Sequence, residues 1–261
     1  MQNDPTPAKA TLDEALTLMR DLRARCEWDR TQTHTSLRPY LIEEAYEVDD
    51  AIALGDDSTL RDELGDLLLQ VLFHSVVAEE RGAFTMQEVA GALVAKMRSR
   101  HPHLYGDGVR RSWETMKAQT TRRTSLDEGL PTGLPSLHRA QRLQDRAAGV
   151  GFDWPDAVGP LAKVREEVDE VAAHLSAGGE VTDADALESE IGDLLFAVVN
   201  LARKTGVHGA LALDRANVKF TRRYGAMLAL ANARGVEFAT LSLAEQDALW
   251  DAVKREEATG G

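Results

Sequence analysis

Apolar residues recur along the chain at helical spacing, with almost no run that alternates as a strand would. From Thr11 to about Arg25, Leu12, Leu16, Met19 and Leu22 lie on one side. Leu64, Leu67, Leu68, Val71 and Leu72 form one later apolar face, and Leu194, Leu195, Val198 and Leu201 another. Start signals accompany the periodicity: Thr11 with Glu14, Thr85 with Glu88 and Ser242 with Glu245 have capping-box spacing. Residues 40–101 and 161–261 contain no proline, which permits long helices there. Gly55-Asp56-Asp57-Ser58 and Ser176-Ala177-Gly178-Gly179 read as turns between helices, and Val150 to Pro155 as a structured loop. Thr120 to Pro135 carries little apolar periodicity. The pattern predicts an all-α chain with an N-terminal domain at 1–123, a linker at 124–135 and a C-terminal domain at 136–261.

The polar positions carry a repeat. Glu43-Glu44-Ala45-Tyr46-Glu47 is followed after 15 residues by Glu63-Leu64-Gly65-Asp66. Glu166-Glu167-Val168-Asp169-Glu170 is followed after 19 by Glu190-Ile191-Gly192-Asp193. Each copy is EExxE, a gap, then ExxD. Spacings of three and four put these acids on one helix face, so each copy predicts an antiparallel helix pair with its carboxylates gathered. Two unit charges at about 4 Å cost roughly 4 kcal/mol at an effective dielectric near 20. A solvated acidic face is the ordinary reading of one EExxE. Two copies, each leading into an apolar run, point instead to a divalent cation, and hard oxygen ligands suit Mg²⁺ or Mn²⁺. The apolar faces need cover beyond one helix pair, which a four-helix bundle made with the other half or with a second chain supplies.

Further echoes follow the acids. Lys96 to Arg100 and Lys219 to Arg223 are both KxxxR; Trp113 to Lys117 and Trp250 to Lys254 are both WxxxK. Lys and Arg one turn apart suit a phosphate, and a neighbouring Trp could stack on a base. Lys163 precedes the second acidic pair where Tyr40 precedes the first. The second copy therefore has a phosphate-facing cation that the first lacks.

The formal net charge of −13 and the absence of a basic run argue against a nucleic-acid partner. Metal ions can still invert the local field toward an anionic small molecule. No apolar run suffices for a membrane span. Cys26 is the single cysteine, and Met1 to Pro5 does not look like a signal peptide, so a cytoplasmic setting is expected. A di-iron bundle would need Glu-x-x-His pairs, and none of the seven histidines lies three residues after a Glu. His101-Pro102-His103 reads as a turn after a helix, His74 as a core residue, and Cys26 has no evident partner base.

EExxE followed by ExxD on helices resembles the MazG family of nucleoside triphosphate pyrophosphohydrolases. Cys26 to Asp29, Thr33 to Tyr40 and Arg100 to His103 resemble the N-terminal half of its two-domain members, which usually have proline where Glu27 stands. Val150 to Trp154 and Lys219 to Arg223 resemble the C-terminal half. The resemblance implies dimers of helical bundles and Mg²⁺-dependent hydrolysis of an NTP or dNTP between the α and β phosphates. It implies that Glu167, Glu170, Glu190 and Asp193 hold magnesium and that Lys163, Glu166, Lys219, Arg223, Trp250 and Lys254 surround the nucleotide. Glu166, Lys219 and Arg223 are the expected catalytic groups, and the C-terminal half the competent one. Glu43, Glu44, Glu47, Glu63 and Asp66 form the second expected metal site. The competing readings are an acidic helical adaptor without activity and a pyrophosphatase dedicated to one dNTP or damaged nucleotide.

Overall fold

The computed structural model describes residues 9–106, 108 and 125–259. The chain divides into two compact units, residues 1–110 and 111–261. Among the described residues every regular element is helical, and the sole extended pairing is a bridge between Leu175 and Val181. The all-α expectation holds, and Trp113 to Lys117 lies outside the described residues.

The first unit contains α1 (Leu12–Arg25), α2 (Glu27–Thr31), α3 (Arg38–Leu54), α4 (Asp57–Glu80), α5 (Met86–Ser99) and α6 (Pro102–Tyr105). The second contains α7 (Ser136–Gly149), α8 (Val158–Ala173), α9 (Ala184–Lys204), α10 (Gly209–Ala233), a 3₁₀ turn at Phe238–Thr240 and α11 (Leu243–Thr259). The start signals do what their spacing predicts. Glu14 N–H donates to Thr11 Oγ1 at 3.2 Å while Thr11 N–H donates back to Glu14 at 2.7 Å. Thr85 with Glu88 and Ser242 with Glu245 close the same reciprocal pair. Each cap satisfies helix-end donors that would otherwise be orphaned, a contribution of about 1 kcal/mol.

The acidic motifs lie on helix pairs: α3 packs on α4 and α8 on α9. Gly55, at φ +72°, ends α3 in a left-handed conformation that glycine enters without strain. Asp56 then caps α4, accepting from Ser58 N–H at 3.0 Å. Asp183 caps α9 in the same way, accepting from Ala186 N–H at 3.1 Å.

A third helix backs each pair. In the first unit α1 packs on α4, burying Leu16, Met19, Leu37, Leu72, Phe73, Val76 and Val77 together. Arg23 of α1 is 7 % exposed; it bonds the Glu80 carboxylate and the carbonyls of Asp29 and Gln32, and its guanidinium lies 5.7 Å from the Phe73 ring. In the second unit α7 backs α9, while α10 and α11 form a hairpin with its own core of Met227, Ala231, Leu249 and Val253.

The 150–155 segment is the loop expected. Asp153 accepts from Arg203 and from Lys204 (3.1 Å), both on α9, which pins the loop to that helix. The Arg203 hydrogen bonds, with Lys204 beside them, hold the Asp153 carboxyl below its ordinary value of 3.8. A depressed carboxyl contributes stability above the unfolded-state pKa and loses it as pH falls through the folded one. Asp153→Asn is therefore expected to lower the melting temperature at neutral pH, and the difference to shrink as pH falls below 3.8. Parallel melting curves with a constant gap down to pH 2 would sink this assignment.

His101-Pro102-His103 opens the short α6 rather than a simple turn, with His101 Nδ1 2.7 Å from Met97 O. His74 is half-buried rather than sealed in the core. Its ring stacks on His34 at 5.1 Å, with the Nδ1 atoms 2.8 Å apart, and burial, then His34, lowers its pKa.

Candidate metal centre

Each helix pair converges three carboxylates from matching positions of the repeat. One oxygen from each of Glu44, Glu63 and Asp66 lies within 4.8 Å of the others, and Glu167, Glu190 and Asp193 meet the same condition. Geometry follows from the register. The second glutamate of EExxE turns toward the partner helix, and the i, i+3 acids of ExxD turn back toward it. The third glutamate adjoins: a Glu167–Glu170 hydrogen bond is the main cause of a raised Glu170 pKa, and Glu47 helps raise that of Glu44. The first glutamate, Glu43 or Glu166, is exposed and stands outside the convergent set.

The two centres differ in what neutralises them. Glu167 is 3 % exposed, and Lys163, one turn earlier, reaches its Oε1 at 2.6 Å and Glu166 Oε1 at 3.0 Å. Hydrogen bonding to Lys163 holds the Glu167 carboxyl low and, with Glu166, raises the lysine. In the first unit Tyr40 stands in place of that lysine and sits edge-on to Trp28 at 6.2 Å. The Nε2 of the buried Gln70 donates to Glu44 Oε1 there, at 3.5 Å. Burial, then Glu47 and Asp66, accordingly pushes the Glu44 carboxyl up, and Glu63 rises for like reasons. No motif marks Gln70; only its position one turn beyond Asp66 could have flagged it.

These donor sets fit a divalent cation. All the convergent atoms are hard carboxylate oxygens, with no His or Cys in either set, which favours Mg²⁺ or Mn²⁺ over softer metals. Burial raises the carboxyls of Glu44 and Glu63, a hydrogen bond to Glu167 raises that of Glu170, and neighbouring carboxylates add repulsion at each that a cation would offset.

The basic and aromatic residues of the hairpin form a separate group. Arg223 bonds Glu257 at 2.8 Å, and its guanidinium lies 5.4 Å from the Trp250 ring. Phe220 flanks the same indole at 5.7 Å. Lys254 pairs with Asp251 at 3.6 Å, and Lys219 is exposed. Among the described residues no hydrogen bond or ion pair joins Lys219, Arg223, Trp250 or Lys254 to the carboxylates of α8 and α9. Lys163, Glu166, Glu167, Glu170, Glu190 and Asp193 are thus brought together, and the other four site residues are not joined to them.

Facing helix pairs that converge hard oxygen ligands, twice in tandem, define an all-α protein with two acidic centres able to hold a divalent metal. A model of the MazG nucleotide pyrophosphohydrolase domain matches residues 32–105 and again 160–227, one centre in each. A nucleoside triphosphate pyrophosphohydrolase of Escherichia coli (strain K12) is 43 % identical over 261 residues, 94 % of this chain and 98 % of that protein. The nucleoside triphosphate pyrophosphohydrolase/pyrophosphatase MazG of Thermotoga maritima is 41 % identical over 249 residues, covering 93 % of this chain and 95 % of its own. A nucleoside triphosphate pyrophosphohydrolase of Mycolicibacterium smegmatis is 42 % identical over 161 residues, 57 % of this chain and 49 % of its own. The chain belongs to the MazG nucleotide pyrophosphohydrolase family and is an enzyme.

Proposed function

We propose that this enzyme hydrolyses nucleoside triphosphates between the α and β phosphates, giving a nucleoside monophosphate and pyrophosphate, as housecleaning of the nucleotide pool. The supporting observation is the buried Glu167, converged with Glu190 and Asp193 and neutralised by a lysine one turn away. The relatives' activity as named agrees with this reading. Glu167, Glu170, Glu190 and Asp193 would hold Mg²⁺, with Mn²⁺ as a substitute. The chemistry a bound Mg²⁺ supplies is charge neutralisation of the triphosphate and activation of water.

The chain's own groups divide the remaining work. Lys163 stands between Glu166 and Glu167, so on substrate arrival its ammonium would turn to a phosphate oxygen. Glu166, exposed and then released, would orient the attacking water or take its proton. Lys219 and Arg223 would stabilise charge on the leaving pyrophosphate. Trp250 would hold the Arg223 guanidinium on its face, and Lys254 would extend the basic arm. The first centre, Glu43 to Asp66, would bind metal but turn over weakly, because it lacks the lysine.

A homodimer is part of this proposal. Leu64 in the first unit is 48 % exposed, and Leu195 and Val198 in the second are 53 % and 44 % exposed, so each unit's acidic helices carry apolar surface that a second copy would cover in a four-helix bundle. No described helix is long and apolar enough to cross a membrane. The acidic charge disfavours nucleic acid, and the lone Cys26 suits a cytoplasmic, reducing setting.

A product assay over NTPs and dNTPs with Mg²⁺ tests the reading. NMP with pyrophosphate is expected, and Lys163→Met should raise KM by about tenfold. NDP with phosphate would overturn the bond assigned. No reaction with any substrate would favour the adaptor reading.

A further inference from the structure

Lys163 lies four residues before Glu167 on α8, so helical period sets it over that carboxylate. Its ammonium stands 2.6 Å from Glu167 Oε1 and 3.0 Å from Glu166 Oε1. Glu167 is thus two things at once: the lysine's partner, and one of the three acids that converge as a ligand set. A divalent cation and the ammonium seek the same carboxylate.

The two cations compete. Positive charges a short distance apart repel, and a divalent ion repels twice as strongly as a single charge. Glu167 is buried, so water and salt screen that repulsion poorly. The pairing with Glu167, then with Glu166, raises the lysine's pKa, so the ammonium keeps its charge throughout the physiological range. Lys163 has room to move, because its side chain is 42 % exposed. What it needs on leaving is another anion. Glu166 is its other partner, but an exposed pair of this kind contributes little. A triphosphate offers more, through charge-assisted hydrogen bonds to its oxygens.

The first centre is built without such an occupant. Tyr40 holds the position four residues before Glu44, and its ring meets Trp28 edge-on. Glu44 meets the neutral amide of Gln70 instead.

We propose that Lys163 is a cation gate on the second centre: it occupies Glu167 until a triphosphate draws it away, so that this centre takes its metal together with the nucleotide rather than alone. The proposal rests on the reading of Lys163 as phosphate-facing and of Glu167, Glu190 and Asp193 as a metal centre. Metal and triphosphate are then coupled, and the coupling is reciprocal, each strengthening the other's binding. The device confines metal chemistry at the second centre to the time a substrate is present. The first centre has no cation to displace and takes free metal.

Lys163→Met tests the gate, because its two ligands should respond in opposite directions. The probe is Mn²⁺, followed by electron paramagnetic resonance. The full chain carries Glu44→Gln and Asp66→Asn as its parent background, so that the second centre is read alone. Without nucleotide, Lys163→Met is expected to bind Mn²⁺ about tenfold more tightly than the parent, the size of one charge-assisted hydrogen bond. The same change should weaken binding of α,β-methylene-ATP, which has no cleavable α–β bond. That nucleotide should also tighten Mn²⁺ more in the parent than in Lys163→Met. Lys163→Arg keeps a cation against Glu167 and should bind free Mn²⁺ as weakly as the parent. Arg165→Met removes an equal charge from an exposed position of the same helix, and free Mn²⁺ affinity should stay within about twofold. Unchanged or weaker free Mn²⁺ binding by Lys163→Met would overturn the proposal, as would equal tightening in Lys163→Arg or Arg165→Met. If the parent binds no α,β-methylene-ATP, the phosphate reading of the site fails. The comparison of free Mn²⁺ affinities still decides whether Lys163 competes for Glu167.

Discussion

Glu167→Gln, and separately Glu190→Gln, should each lower Mg²⁺-dependent pyrophosphate release by at least about a hundredfold, more than the loss usual for groups that merely support metal ligands. The amide keeps the size of the side chain and removes the charge that draws the cation. Glu167 is almost fully buried and converges with Glu190 and Asp193, so the amide places a neutral group within the ligand set. Lys163 keeps Glu166 as a partner in the variant, so the local fold should persist. Glu44→Gln is the matched control: it removes the equivalent acid from the centre that has no lysine, and the rate should stay near wild type. Steady-state rates across a Mg²⁺ titration decide the matter. Near-wild-type turnover by either Glu167→Gln or Glu190→Gln would remove these residues from the centre. Equal losses in all three variants would mean that the two centres work together.

Phe73→Ala should destabilise the first unit by about 3–5 kcal/mol. The ring is 2 % exposed and packs with Leu16, Met19, Leu37 and Leu72, meets Trp28 edge-on at 6.3 Å and lies under the Arg23 guanidinium. Truncation opens a cavity and strips Arg23 of the surface it packs on. In a unit of this size the loss corresponds to a fall of roughly 15 °C or more in melting temperature. Thermal unfolding should show one transition moving while that of the second unit stays in place, and Phe73→Leu should recover much of the difference. A shift of only a degree or two would mean that Phe73 does not anchor the core.

Local signals made much of this molecule legible. Thr11, Thr85 and Ser242 announce their helices because a capping box needs only residues three apart. The EExxE and ExxD spacings placed Glu44, Glu63 and Asp66 on facing helices, and Glu167, Glu190 and Asp193 likewise, because helical period alone puts those acids on one side. Tyr40 against Lys163 distinguishes the two centres in the sequence alone. Gln70, Gln144 and Asn200 gave no such warning. They are neutral amides in no motif, and Gln70 and Gln144 meet partners distant in sequence, Glu44 at 26 residues and the Phe196 carbonyl at 52.

The chain by itself therefore determined the helical class, the tandem acidic repeat, the ligand chemistry and the residues that can meet within one helix pair. All of these follow from periodicities of three and four residues. Tertiary structure decided which glutamate of each EExxE is turned into the centre, that Lys163 neutralises Glu167 while Glu44 meets the neutral amide of Gln70, and that Phe73 is packed on α4 while Asn200, its counterpart on α9, lines an open cavity. It also decided that Lys219, Arg223, Trp250 and Lys254 gather on a hairpin of their own. The physical reason is that periodicity sets the face a residue occupies, whereas burial, partners and open space depend on the helix packed against that face.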